Sequence, residues 1–362
     1  MTSVAKSRGA SAGAAHVAVV VLHYNGLPDT LQCLASLRAA AGSDCRVIVV
    51  DNGSAAPAGE AIRAAHPWVE VLVREHNGGW AGGNNTGIRR ALAGGAEYVV
   101  LLNNDTLVAP ELLSRLSAAA DAHPEMGVLG VVVCYQDEPE RVNVDGCVFQ
   151  DPGSGDFFVR QPIPQVEGNS VDVTETELVN GCCMMVRAEV FQEIGLIDER
   201  FFLIHEESEF CLRAWRAGYR CGVLGQPLVW HKGSRSFQRD SRPLQRYFDA
   251  RNLYLLLKMR HGNRCGVQAG WRSRRDYLRH VYFMYCLQRE AGSGAGARAV
   301  LEGVCDALSG RWGAYPPEKA RWLLPVLRHA FDWQWRRGQR RKMRRLAEQR
   351  RPQEITRQGH GP

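Results

Sequence analysis

Short, wholly apolar runs and longer stretches with helical spacing take turns along the first part of the chain. Residues 17–22 are apolar at every position and rich in β-branched side chains, which predicts a strand buried on both faces. Residues 27–40 return to an apolar side chain every three or four positions and predict a helix. Residues 46–50, 69–73, 98–102 and 126–133 predict further strands. Residues 86–92 and 110–122 predict helices between them, the second with Pro110 in its first turn. Alternation this regular predicts a parallel, doubly wound α/β sheet. Beyond it, residues 136–177 are rich in Asp, Gly and Pro and predict a long surface excursion. Residues 177–186 resume as a strand broken by Asn180-Gly181, a break that suits a bulge near a ligand. An amphipathic helix follows the acids at 206–209, residues 219–229 predict a last strand, and residues 271–288 predict a helix with aromatics and arginines interleaved.

Chemistry-bearing residues gather where the apolar runs end, and in open α/β sheets ligands sit at the carboxyl ends of strands. The run 98–102 delivers Asn103-Asn104-Asp105. Asp105 is a hard oxygen donor suited to Mg²⁺ or Mn²⁺, and Asn103 can add a neutral oxygen from the same side of an extended chain. The same residues are ordinary turn chemistry, and Asp105-Thr106 can cap the helix that begins near Pro110. Residues 46–50 end in Asp51-Asn52-Gly53-Ser54, where the carboxylate can receive a nucleoside or cap the next helix. His76-Asn77-Gly78-Gly79-Trp80-Ala81-Gly82-Gly83-Asn84-Asn85 reads as a glycine-rich loop that lets backbone approach a ligand, although glycines also mark plain turns.

Glu206-Glu207-Ser208-Glu209 sets three carboxylates in four positions, costly unless a cation, a helix N-terminus or a function offsets them. Trp230-His231-Lys232 closes the last strand with two groups able to face a diphosphate; a lone His at a strand end is more often structural.

Charge changes the picture at the far end. The 362 residues carry a formal charge of +7, but residues 1–240 hold 19 Lys and Arg against 29 Asp and Glu, and residues 241–362 hold 26 against 9. The C-terminal part is therefore expected to meet an anionic partner. Trp322, Trp333 and Trp335 beside the basic run 336–345 suit a helix lying on an anionic membrane, with a solvated tail or a nucleic-acid patch as competing readings. Eleven cysteines show no metal-type pairing and read as reduced packing residues of a cytosolic protein. Residues 1–15 lack an apolar core and are expected to be disordered, and no segment approaches a membrane span.

Six blocks in order resemble the family 2 inverting glycosyltransferases, in particular their rhamnosyltransferase-like branch. They are Val20-Val21-Leu22-His23-Tyr24-Asn25, Val49-Val50-Asp51-Asn52-Gly53-Ser54, the glycine-rich stretch 77–85, Leu101-Leu102-Asn103-Asn104-Asp105, residues 202–213, and Trp230-His231-Lys232-Gly233-Ser234. The resemblance implies a GT-A nucleotide-sugar transferase fold over residues 16–255; residues 256–362 fall outside it and are expected to form a basic, largely helical extension. It puts Asp51 on the nucleoside, the stretch with Gly82 and Asn84 around base and ribose, and Asp105 on a Mg²⁺ or Mn²⁺ bridging the diphosphate. Tyr24, Asn25, Asn104, His231 and Lys232 fall among the donor contacts, and Asn103 stands where the family's metal motif begins. Where the family shows Glu-Asp, a variable residue and Asp, this chain has Glu206-Glu207-Ser208-Glu209. The catalytic base therefore maps to Glu207, with Glu206 as substitute.

The implied activity is inverting transfer of a sugar, dTDP-rhamnose being the favoured donor, to a saccharide or lipid-linked saccharide in cell-surface polysaccharide synthesis. Residues 136–177 are expected on the acceptor face, and the enzyme in the cytoplasm, peripheral on the inner face of the membrane. A metal-dependent nucleotidyltransferase shares the sheet, the glycines and the metal carboxylate but needs no second carboxylate cluster. A nucleic-acid-binding protein rests on the tail alone, and the acidic first 240 residues argue against a nucleic-acid partner.

Overall fold

A computed structural model of the chain describes residues 16–149, 158–166, 168, 170–232, 242–261 and 267–349. The expected disorder of residues 1–15 and the role of Gly233-Ser234 lie outside them. The alternation is realised as β1 (Val17–His23), α1 (Leu27–Ala40), β2 (Cys45–Asp51), α2 (Gly59–Ala65), β3 (Glu70–Val73), α3 (Gly79–Ala93) and β4 (Tyr98–Asn103). There follow β5 (Thr106–Val108), α4 (Leu112–Ala122), β6 (Met126–Tyr135), β7 (Val142–Val144), β8 (Gly146–Phe149), β9 (Phe158–Gln161), β10 (Val173–Thr176), β11 (Cys183–Arg187), α5 (Ala188–Ile194), α6 (Glu206–Arg216) and β12 (Arg220–His231). The C-terminal part adds α7 (Arg242–His261), α8 (Val267–Glu290), α9 (Gly294–Leu308) and α10 (Leu324–Gln349).

The main sheet runs β10-β12-β6-β11-β4-β1-β2-β3, with β5 on β12 and β7 on β6. β3, β2, β1 and β4 are mutually parallel, and β6 and β12 are parallel to each other. β11 enters antiparallel between β4 and β6, so the sheet is mostly parallel. The strict period of two along a strand explains the double winding. Val17, Val19 and Val21 of β1 face a core shared with Leu34 and Leu37 of α1, Ile62 of α2 and Leu116 of α4. Ala18 and Val20 face the opposite core, with Ile88 of α3, Phe191 of α5 and Phe210 of α6. Pro227, which cannot donate to a ladder, sits where the β12–β6 register shifts.

Several expectations are corrected. The glycine-rich stretch is largely helix, since α3 begins at Gly79. Its glycines bring the helix against the sheet: a Cβ on Gly83 would lie 2.3 Å from Leu22 Cδ1, and one on Gly87 2.3 Å from Val20 Cγ1. The excursion 136–177 is not loose, because β7 and β10 join the main sheet and β8 pairs with β9. The strand expected over 177–186 is confined to β11, since the chain turns at Gly181 and Cys182. The helix expected from Pro110 starts at Leu112, after the short β5.

The expected boundary at 255/256 falls inside α7, whose Leu253 and Leu257 pack with Tyr277 and Val281 of α8, Val300 and Leu301 of α9 and Phe331 of α10. The C-terminal part thus has an apolar core as well as its positive charge. Trp335 packs partly onto that core, whereas Trp322 and Trp333 stand 74% and 58% exposed. Among the described residues no helix is long and apolar enough to cross a membrane.

Candidate active site

Three loops at the carboxyl ends of β1, β2 and β3 are tied together by polar side chains. Asp51 is fully buried, and its oxygens accept the backbone N–H groups of Ser54 at 3.2 Å and Ala58 at 2.9 Å. Burial pushes its carboxyl up, but these hydrogen bonds prevail and hold it below the usual range. Asn25, at φ 54, accepts the Ala55 N–H and takes the Ser54 hydroxyl on its own N–H. Asn52 donates to Asn77 Oδ1 and the Gly79 carbonyl. In this geometry Asp51 shapes the 51–58 loop, while Tyr24 stands exposed beside it. Gly82 and Asn84 are buried within α3, Asn84 donating to the Trp80 carbonyl at 2.9 Å. Their positions fix the helix.

Beyond β4 the chain does not stay extended. It turns at Asn104-Asp105, with the Thr106 hydroxyl donating to the Asn103 carbonyl at 2.7 Å. Asn103 and Asp105 therefore do not share one side of a strand. Asn103 Oδ1 accepts the Trp80 indole N–H at 3.1 Å, and Asn104 donates to the Thr30 hydroxyl, which is hydrogen-bonded in turn to His23 Nδ1 at 2.7 Å. Asp105, 7% exposed, has Oδ1 3.1 Å from His231 Nε2 at the end of β12. Burial raises its carboxyl, yet the His231 hydrogen bond and charge outweigh burial and keep it below the ordinary value. An ionised carboxylate only accepts, so Nε2 carries the proton and His231 orients Asp105. The Lys232 ammonium pairs with Asp29 of α1, and the Lys232 N–H donates to the Asp105 carbonyl at 3.1 Å.

Among the described residues no group of three or more His, Cys, Asp or Glu is placed to hold a metal ion alone. Asp105 is a single carboxylate at this corner, which suits a cation that draws most of its ligands from phosphate and water. Asn103 is the weaker candidate because Trp80 occupies its oxygen.

The carboxylates of α6 have three different environments. Glu209 is fully buried and bound by Arg213 at 2.6 and 2.9 Å, so it is structural. Glu206 is 4% exposed, its Oε2 lacks a partner among the described residues, and burial together with the Glu207 charge pushes its carboxyl well above the usual range. Glu207 lines a cavity of about 270 Å³ with Asp145, Cys147, Phe158, Asn180 and His205. It alone of the three faces open space.

Positioning Glu207 there requires strain. Phe202, Ile204 and His205 hold φ of 63, 73 and 73°, a left-handed conformation that costs non-glycine residues about 1–3 kcal/mol each. Helix α7 supports them. The Asn252 amide donates to the carbonyls of Phe201, Leu203 and Ile204 at 2.7–2.8 Å. Arg251, fully buried, donates to the carbonyls of Arg200, Phe201 and Gly313. Asp249, held below its usual range because the His205 hydrogen bond outweighs burial, accepts from His205 Nε2 at 2.9 Å.

The cavity and the Asp105 corner adjoin through α3 and the approach to β11. The Cys182 carbonyl accepts the Asn103 N–H at 2.9 Å, and Asn180 two residues earlier lines the Glu207 cavity. The Phe202 carbonyl lies 3.4 Å from the Ala81 N–H, and a Cβ on Gly79, at φ +70°, would strike it at 2.1 Å. One corner offers an acid, a histidine and a lysine; the other offers a cavity-facing carboxylate. Asp249, Arg251 and Asn252 escaped a functional reading in the sequence, although a helix carrying three polar residues among aromatics was a signal. His205 was visible within the acidic cluster without a role.

Residues 18–195 match the family model for glycosyl transferase family 2. The dTDP-rhamnosyl transferase RfbF of Shigella flexneri is 25% identical over 262 residues, covering 68% of this chain and 81% of that protein. The N-acetylglucosaminyl-diphospho-decaprenol L-rhamnosyltransferase of Mycobacterium tuberculosis (strain CDC 1551 / Oshkosh) is 26% identical over 238 residues, covering 61% of this chain and 78% of that one. The crystal structure of S. aureus TarS superposes with a TM-score of 0.51 at 16% identity, over 88% of this chain and 53% of that chain, a likeness of fold alone.

Proposed function

Because the chain carries a glycosyl transferase family 2 domain and is a glycosyltransferase, we propose that it transfers rhamnose with inversion from dTDP-rhamnose to a saccharide or lipid-linked saccharide of a cell-surface polymer. The observation that carries this reading is the pairing of the Asp105–His231–Lys232 corner with the adjoining cavity onto which Glu207 opens. The names of the two curated rhamnosyltransferases support the choice of sugar.

In this reading the acceptor enters the Glu207 cavity, and Glu207 takes the proton of its attacking hydroxyl. The acceptor oxygen bonds to the anomeric carbon as the bond to the β-phosphate oxygen breaks on the opposite face. The nucleoside diphosphate departs with the bonding pair. Lys232, drawn from Asp29, offsets its growing charge. Asp105 Oδ2, oriented by His231, would hold Mg²⁺ or Mn²⁺, which supplies further charge compensation for the diphosphate. Tyr24, Asn25, Asp51 and Asn104 frame the donor directly or through their loops, while Gly82 and Asn84 act through α3. The basic C-terminal helices bring the enzyme to the inner face of the membrane from the cytoplasm.

Thermal unfolding against a panel of nucleoside-diphosphate sugars, with and without Mn²⁺, tests the donor. A ligand at about 100 times its Kd adds roughly 2.7 kcal/mol to stability. dTDP-rhamnose should stabilise the chain more than other sugar nucleotides, and Asp105→Ala should erase the Mn²⁺-dependent part. Stabilisation by none of them contradicts the assignment.

A further inference from the structure

Helices α8, α9 and α10 enclose a groove of about 950 Å³, large enough for a bound small molecule. Its lining is one-sided in charge. Arg289, Arg298, Arg328, Arg336, Arg337 and Arg340 line it against one acid, Asp332. Asp332 is shared by Arg289 at 3.4 Å and Arg328 at 3.9 Å, and it also accepts the Tyr285 hydroxyl. Arg298 is paired with Glu302. Arg336 and Arg340 have no ion-pair partner among the described residues. They lie four residues apart on α10, on one helical face with Trp333 and Arg337, whose guanidinium stacks over the Trp333 ring at 5.3 Å. Like charges held this close without counter-charges are costly unless an anion joins them. Guanidinium forks match phosphate oxygens in geometry.

Exposed apolar side chains say where the phosphate comes from. Trp333 of the lining is 58% exposed, and Val326 of the same helix and Trp322 just before it are 63% and 74% exposed. Trp at a wet–apolar boundary is a membrane-interface arrangement. A free phosphate has no use for exposed apolar side chains, whereas a lipid headgroup brings its own apolar phase.

We propose that the groove between α8, α9 and α10 binds the phosphate headgroup of an anionic lipid, a defined site rather than a diffuse attraction between a basic surface and a membrane. The proposal deepens the membrane contact in the function proposed above and is independent of the donor and of Glu207.

The test compares two charge-neutral pairs on α10: Arg336→Gln with Arg340→Gln in the groove, and Arg341→Gln with Lys342→Gln, exposed and outside its lining. Glutamine keeps helix propensity, and matching melting temperatures establish that both fold. Binding is measured by flotation with phosphatidylcholine vesicles that contain or lack phosphatidylglycerol. Diffuse attraction of two basic side chains to an anionic surface is worth about 30-fold, and guanidinium–phosphate hydrogen bonds in the groove add to it, so the groove pair should lose well over 30-fold on phosphatidylglycerol vesicles and the control pair about 30-fold or less. Inorganic diphosphate should displace the wild-type chain from those vesicles. Equal losses in both pairs overturn the site and leave only diffuse attraction. Diphosphate binding without vesicle binding overturns the lipid source, and preference for an RNA oligonucleotide over the vesicles overturns the ligand class. If no variant or vesicle composition changes binding, the membrane contact itself fails.

Discussion

In β1 every apolar side chain from Val17 to Val21 has a buried place that the alternation of its own sequence dictates, whereas residues 202–205 hold three positive φ angles against the preferences of Phe, Ile and His. The parallel half of the sheet is stabilised by neighbours from the same run of alternating elements: α1 shares a core with β1, α3 packs on β1 and β2, and the loops at 23–26, 51–58 and 76–79 are stitched by their own asparagines and aspartate. The carboxylate segment is stabilised from a distance, by Arg251 and Asn252 of a helix some fifty residues downstream. The loops at the ends of β1, β2 and β3 can thus be built locally, and the segment that carries Glu207 depends on the C-terminal helices.

The most damaging way to break this contrast is Arg251→Ala. The carbonyls of Arg200, Phe201 and Gly313 each lose one hydrogen bond and a fully buried side chain leaves a cavity, for a loss of roughly 3–5 kcal/mol in denaturant unfolding. A loss under about 1 kcal/mol would mean that the segment supports itself. Leu37→Ala in α1 should cost a similar amount, about 2–5 kcal/mol, yet leave the turnover of the remaining folded enzyme near normal.

Asn252→Ala sharpens the contrast at a smaller scale. It removes the single amide serving Phe201, Leu203 and Ile204, worth about 1–3 kcal/mol of stability. Turnover should fall while donor affinity stays unchanged, because the donor half does not lean on this contact. Donor affinity falling in step with turnover would dissolve the distinction between the two regions.

The smallest effect is a pH slope. Burial and the Glu207 charge hold the Glu206 carboxyl well above its usual range, so above the ordinary carboxyl value the folded chain retains a proton that the unfolded chain has lost. Stability from this group therefore falls as pH rises. Glu206→Gln abolishes that slope, and the variant should gain on its parent progressively between about pH 5 and 8. A constant difference across that range would show Glu206 ionised in the folded chain.

Apolar runs and helical spacing made β1, α1, β2 and β4 legible within a residue or two, because those elements are buried on terms that their own sequence sets. The double winding followed. Glycines misled at 77–85: a glycine that lets a helix approach Leu22 and Val20 is indistinguishable, in sequence, from one that lets a loop approach a ligand. The excursion 136–177 hid four short strands because their partners are distant or because, as in β8 and β9, the pair is too brief for a period to register. At the site, Asp105, His231 and Glu207 were legible as residue types at element ends. The contacts of their neighbours were not: the Trp80 indole on Asn103 and Asp29 on Lys232 each join elements that no local pattern links. Arg251 was the least legible, since a buried arginine reads in sequence as a surface residue.

The central claim is that Glu207, of the three acids, takes the acceptor's proton, and Glu207→Gln tests it most directly because glutamine keeps the size and hydrogen-bonding atoms without the basicity. Turnover at saturating donor, measured beside donor affinity by calorimetric titration, should fall by about 10²–10⁴-fold with affinity near the parent's, and Glu206→Gln and Glu209→Gln should be milder. Normal turnover in Glu207→Gln, with Glu206→Gln the most damaged of the three, would contradict the account.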